Sequence, residues 1–244
     1  MRKIVIALDD SACALTATKW ALDTLATRPD DEIHLLAVQA LITAGMAPAA
    51  PLATAGSVAA LTANYQQALR DEEVRVKSLL LHVRDTLLKR PDLHCHALPA
   101  AGGASGVGES IVTWVKKERA DVVVVGSRGM GATKSTLMSV VGLGSVSSYC
   151  LHHSTTTAVA VVHGSCKEWG EKKASKKVLV AVDDSECAKF AQKWAIEHVL
   201  GPQDQLHLIS TALPVPYVVR SFCFCFLIAP CCLFFCAVLH TSYD

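Results

Sequence analysis

Apolar runs along this chain alternate with stretches in which apolar residues return every three or four positions, the signature of strands alternating with helices. The pattern predicts strands over 3–8, 32–38, 92–98, 121–126 and 157–162, and helices over about 11–26, 57–90, 108–119 and 145–152. Val122 to Val125 is an unbroken β-branched run, as expected of a strand covered on both faces of a parallel sheet. In the longest helix, Leu69, Val76, Leu80, Val83 and Leu87 recur at helical spacing, which predicts one side packed on the sheet, and Pro91 ends it. The connection 40–56, rich in Ala, Pro and Gly, is expected to run over the surface. The fold class that follows is α/β, an open parallel five-stranded sheet with helices on both faces, Rossmann-like in kind.

The pattern then repeats. Lys3-Ile-Val-Ile-Ala-Leu-Asp9-Asp10-Ser11-Ala-Cys13-Ala14 returns as Lys177-Val-Leu-Val-Ala-Val-Asp183-Asp184-Ser185-Glu-Cys187-Ala188. Lys19-Trp20-Ala21 returns as Lys193-Trp194-Ala195, and Ile33-His-Leu-Leu as Leu206-His-Leu-Ile. Two copies of one α/β unit are therefore predicted: a whole one over 1–163, a polar linker over 164–175, and the front of a second over 176–218. From 219 to 244 the chain turns into a Cys- and Phe-rich apolar tail that matches nothing in the first copy. Three readings stand for it: a truncated or mis-spliced reading frame, a membrane or acylated tail over 222–239, and an ordered soluble segment.

Composition narrows the classes without choosing among them. Half of the 244 residues are apolar (51%), enough for one core and material for a second, and the formal net charge of +1 with no basic stripe gives nucleic acid little support as a partner. A first strand opening at Lys3 leaves no room for a cleavable leader, so the cytosol is the expected location, with membrane attachment through the tail as the alternative. Five of the ten cysteines crowd into the tail and the rest are scattered without CxxC spacing, so reduced thiols are expected.

The chemistry concentrates where the fourth strand runs into glycine turns. Asp121-Val-Val-Val-Val-Gly126-Ser-Arg128-Gly129-Met-Gly131 is followed by Gly142-Leu-Gly144-Ser145-Val146-Ser147 at a helix start. Side-chain-free turns let backbone N–H groups converge on an anion, and the first N–H groups of the helix add to them, so phosphate is the expected ligand. The turns fall at the carboxyl end of the strand, the edge where open α/β sheets bind ligands. Asp9, Asp10 and Ser11 end the first strand at the same edge. One of them is needed to cap the following helix, which leaves Asp9 to fix a base amino group or a ribose hydroxyl.

On these residues the chain resembles the universal stress protein family, over 1–163 as a whole domain and 176–218 as the front of a second. The resemblance carries a motif Gly-x2-Gly-x9-Gly-Ser/Thr and implies adenine nucleotide, ATP or a relative with Mg accompanying it, at the carboxyl edge of a five-stranded sheet. It also implies dimerisation through the last strand, here 157–162, or a pseudo-dimer with the second copy, and a role in stress adaptation. By position, Asp9 and the backbone of Ala7 and Leu8 would meet the adenine end, with Val38 packing on the base. Gly126, Arg128 and Gly129 would line the ribose and phosphates, and Gly144, Ser145, Val146 and Ser147 would close over the phosphate tail. This chain departs from the motif in one respect: fourteen residues, not nine, separate Gly129 from Gly144.

Other constellations fall short. Lys134 lacks the glycine that precedes a P-loop lysine, since Thr133 stands there. His94 and His96 share a strand face, yet the sequence places no carboxylate or third ligand beside them, and no metal site is expected. His152 and His153 suit the negative end of a helix, and no Gly-x-Ser-x-Gly elbow is present. The expected function is therefore an adenine-nucleotide-binding stress-response module that binds and switches, with no catalytic residue assigned and any ATP hydrolysis slow. The alternatives are a dimerisation and protein-interaction module without nucleotide, and a slow ATPase.

Overall fold

The computed structural model describes residues 1–39, 55–101, 106–127, 145–163, 175–183, 185–210, 225–228 and 233–236. The elements of the first unit are β1 (Lys3–Ala7), α1 (Ala12–Thr24), β2 (Glu32–Val38), α2 (Ala55–Leu81) with a π-helical continuation (His82–Leu87), β3 (His94–Leu98), α3 (Gly106–Lys117), β4 (Val122–Gly126), α4 (Ser145–His153) and β5 (Ala158–Val162). They alternate as the hydrophobic pattern predicts. These five strands lie in the order β3-β2-β1-β4-β5 and all pair in parallel.

Side-chain alternation along the strands divides the interior into two cores. Ile4, Ile6, Leu35, Val122 and Val124 face one side with Trp20 of α1 and Val76, Leu80 and Val83 of α2 and its continuation. Val5, Leu36, Val123, Val125 and Val159 face the other with Ile111, Val115, Cys150 and Leu151 of α3 and α4. The run Val122–Val125 is thus β-branched throughout because neighbouring residues feed opposite cores.

Two expectations for the long helix need correction. Leu69 (38% exposed) and Leu87 (49%) do not pack on the sheet, whereas Val76, Leu80 and Val83 do. A helix of 27 residues is roughly 40 Å long, more than twice the reach of a five-residue strand, so its first turns project past the sheet. At the other end the wider π turn shifts the phase and turns Leu87 outward. The helix also stops before Pro91: Leu88 N–H donates to Val83 O (2.9 Å), Lys89 takes a left-handed φ of 53°, and Arg90 N–H donates to Arg84 O (3.0 Å).

Beyond 175 the chain forms β6 (Lys177–Ala181), α5 (Glu186–His198) and β7 (Gln205–Ile209), with β6 and β7 pairing in parallel as a separate small sheet. Val178, Val180, Ala191, Ala195 and Val199 join the core on the α1 side. Arg28 Nη2 donates to Glu197 O (3.2 Å) at the end of α5. The tail supplies β8 (Cys225–Ile228) and β9 (Leu233–Cys236). β9 pairs antiparallel with β5, from Val159↔Cys236 to Val162↔Leu233, and β8 pairs antiparallel with β9 and lies alongside β6. The outer edge of the strand expected at 157–162 to serve a second chain is therefore occupied by this chain's own tail. The described parts of 222–239 are strands, and among the described residues no helix is long and apolar enough to cross a membrane.

Candidate functional site

The site is assembled at the carboxyl edge of the parallel sheet, beginning with the turn from β1 into α1. Leu8 N–H donates to Leu36 O (2.8 Å), holding the chain against β2 one residue past the strand. Ser11 is the N-cap of α1, its hydroxyl accepting from Ala14 N–H (3.1 Å), while Asp9 Oδ1 accepts from Ser11 N–H (3.0 Å). Of the three polar residues in the turn, Ser11 is the one that caps the helix. Asp10 turns outward to an ion pair with Arg75 of α2, which Glu72 grips from behind (2.7 and 2.8 Å). Asp9 is the half-buried carboxylate of this turn.

Gly126 ends β4 against this turn. A Cβ placed on it would lie 3.1 Å from the backbone carbon of Cys13 and 3.2 Å from Ala14 N, so any side chain here would press on the first turn of α1 and require it to shift. The β1–β4 register, Ile6↔Val124, carried two positions further brings Leu8 level with Gly126. The next residue, Ser127, donates its N–H to Val162 O (2.9 Å) and its carbonyl accepts from the hydroxyl of Ser147 (3.4 Å). That bond ties α4 to the strand end, so the opening N–H groups of α4, which have no partner within the helix, lie beside the same edge.

Of the residues singled out from sequence, Ala7, Leu8, Asp9, Val38, Gly126, Ser145, Val146 and Ser147 are placed at this edge. Ala7, Val38 and Val146 are partly buried against the α3–α4 core, as are Leu98 and Val107. Ser145 is exposed at the start of α4, whereas Ser147 is buried (1% exposed) with its hydroxyl on Ser127, so its side chain positions the helix. Arg128, Gly129 and Gly144, together with the whole Met130–Leu143 insertion and Lys134, lie outside the described residues.

A second polar cluster was read only in part from the sequence, which put His94 and His96 on one face without placing His34 or Glu32 beside them. The β2–β3 register sets His34 opposite His94 and Leu36 opposite His96, so the three histidines share one face. His34 Nδ1 lies 2.8 Å from His96 Nε2, and the His34 ring stacks between His94 and His96 at centroid distances of 4.9 and 5.1 Å. Trp114 of α3 covers His96 at 4.8 Å, and Glu32 supplies the carboxylate that sequence spacing did not place, 3.2 Å from His34 Nε2 and 3.8 Å from His94 Nε2. Burial holds the imidazole of His34 down to about 4, against the pull of Glu32, and lowers that of His96 as well. Among the described residues no group of three or more His, Cys, Asp and Glu is arranged to hold a metal ion.

Solved structures that resemble the chain include the universal stress protein UspA from Lactobacillus plantarum, at 19% identity over 66% of this chain and 96% of that one, with a TM-score of 0.45. Hypothetical protein MJ0577 matches at 22% identity over 66% of this chain and 94% of its own, also at 0.45. A protein of the universal stress protein family from Burkholderia pseudomallei matches at 17% identity over 66% and 94%, at 0.33. No curated protein matches the chain. The sequence profile of the universal stress protein family matches residues 1–163, which is the whole first unit, and the chain therefore belongs to the universal stress protein family.

Proposed function

We propose that the first unit binds one adenine nucleotide, ATP or a close relative, at the carboxyl edge of its sheet and acts as a binding switch in a stress response. The observation that carries this reading is the convergence of three groups on one edge: the Asp9 turn, the glycine end of β4 packed on α1, and the start of α4 tied back by Ser147. Asp9 offers an acceptor for the base or ribose, Ala7 and Val38 an apolar shelf for the base, and Ser145–Ser147 a row of N–H groups for phosphate. Gly126, Arg128, Gly129 and Gly144 complete the cradle in this proposal, with Mg accompanying the phosphates.

Binding rather than turnover is proposed because phosphoryl transfer needs a positioned nucleophile and charge stabilisation together. The chain offers Arg128 and Ser145 for part of that work, while the Ser147 hydroxyl is engaged by Ser127. The second unit repeats the turn faithfully, with Asp183 Oδ1 accepting from Ser185 N–H (2.9 Å) and Ser185 capping α5 through Ala188 N–H (3.1 Å). It has no Gly-x2-Gly sequence, so one nucleotide per chain is expected. Its contact through Arg28 and the tail strand on β5 favour a pseudo-dimer within the chain over a homodimer through 157–162.

Calorimetric titration of the full chain with ATP, ADP, AMP and cyclic nucleotides tests the reading. Saturable binding of one equivalent is expected, weakened about tenfold or more by Asp9→Ala, an interaction of about 1.5–3 kcal/mol for a hydrogen bond to a charged group. Gly126→Val is expected to abolish it. A folded chain that gives no heat with any of these nucleotides leaves the interaction module as the better account.

A further inference from the structure

We propose that His34 and His96 form an acid-operated latch on the edge strand β3, holding it to β2 and α3 while His34 is neutral and releasing it when His34 takes a proton. The tautomers follow from the surroundings. His34 Nε2 lies 3.2 Å from Glu32 Oε1, although at an angle that leaves it without a hydrogen bond, so a proton on Nε2 faces an acceptor while a lone pair there would face a carboxylate. With its proton on Nε2, neutral His34 presents the lone pair of Nδ1, and His96 Nε2–H donates to it over 2.8 Å.

Adding a proton to His96 leaves this bond in place, because the new proton goes to Nδ1 of that ring, away from His34. Once His96 carries its second proton, adding one to His34 as well sets two N–H groups against each other at 2.8 Å and places two cations side by side, where the His34 side chain is 7% exposed. The groups that face the pair from each neighbouring element are Glu32 of β2, His94 of β3, Lys3 of β1 and Glu118 just past the end of α3. Lys3 already occupies Glu118 (3.5 Å) and His94 shares Glu32, so little acceptor capacity is left to absorb a new charge.

β3 is the strand on which such a conflict is relieved most cheaply. It stands at the end of the sheet, bonded to β2 on one side only, and none of its five residues is fully buried. His34, by contrast, sits in β2 between two strands and cannot move out alone.

Amide hydrogen exchange on the full chain tests the latch by comparing β3 (residues 95–98) with the central strand β1 (4–7) as pH falls. The ratio of β1 to β3 protection is expected to grow by about tenfold per pH unit between the ordinary imidazole value of 6.5 and about 4. His34→Asn keeps an acceptor oxygen near the place of Nδ1 but cannot be protonated, and is expected to flatten that dependence. Titration of the His34 ring by NMR in the unaltered chain is a second readout that needs no variant, and its midpoint is expected at the pH where the relative loss of β3 protection levels off. The proposal is overturned if β1 and β3 lose protection together, if His34→Asn retains the wild-type slope, or if the ring titrates at the ordinary imidazole value.

Discussion

Arg2 and Asp31 show how much one pair of residues can hold in place. The guanidinium meets the carboxylate through two bonds (2.8 and 2.6 Å), and Arg2 Nη2 also donates to Leu25 O (2.7 Å) at the end of α1. Asp31 Oδ2 in turn accepts Arg28 N–H (3.0 Å), and the two side chains are 10% and 1% exposed. The pair closes the α1–β2 connection and sets where β2 begins. Burial alone would raise the Asp31 carboxyl, but its bonds to Arg2 and to Arg28 N–H prevail and hold it below the usual range. The stabilisation from Asp31 is thus present above the ordinary carboxylate pKa and lost as pH falls through the lowered value. Asp31→Ala is expected to cost about 3 kcal/mol in urea unfolding at neutral pH, because it strands a buried guanidinium. A cost below about 1 kcal/mol, the level of a surface pair, would contradict this account.

At the scale of elements, strands and helices were legible because burial imposes their periods, and β2 falls on 32–38 as the pattern predicts. What the pattern could not convey was length relative to neighbours. Leu69 and Leu87 keep the helical spacing yet face outward, since a one-dimensional period contains neither the end of the sheet nor the extra residue per turn of a π segment. The sheet edge on which the candidate residues meet was legible on the same terms. Asp9 and Gly126 were identified from their places after apolar strands, whereas the Asp10–Arg75 pair and the Glu32–His34–His96 cluster depend on register between segments far apart in the chain. The packing of α3 on α4 is a further relation of this kind. A Cβ on Gly108 would lie 2.8 Å from the Tyr149 ring, which is itself stacked on His153 at 3.9 Å. Gly108→Val is expected to destabilise the chain by about 1–3 kcal/mol from overpacking. Tyr149→Ala in the same chain should recover most of that loss, a coupling that a double-mutant cycle in urea measures directly. Additive effects would mean that the two helices do not meet through this pair.

Across the whole molecule, a complete unit and a partial one share a core, and the tail strands extend the first sheet and lie alongside β6. The partial unit leaves Phe190, Ile196, Leu208 and Ile209 between 43% and 52% exposed, as expected of a sheet with fewer layers to cover it. The cradle proposed for nucleotide lies in the complete unit alone, and its two walls come from segments more than a hundred residues apart, the β1–α1 turn and the start of α4. The most direct measurement of the central claim is amide exchange on the full chain with and without saturating ATP. Simultaneous protection of residues 8–14, 126–127 and 145–149, with 183–189 unchanged, is the predicted result. Protection of one wall without the other, or equal protection of the second unit, would contradict a single site built from both.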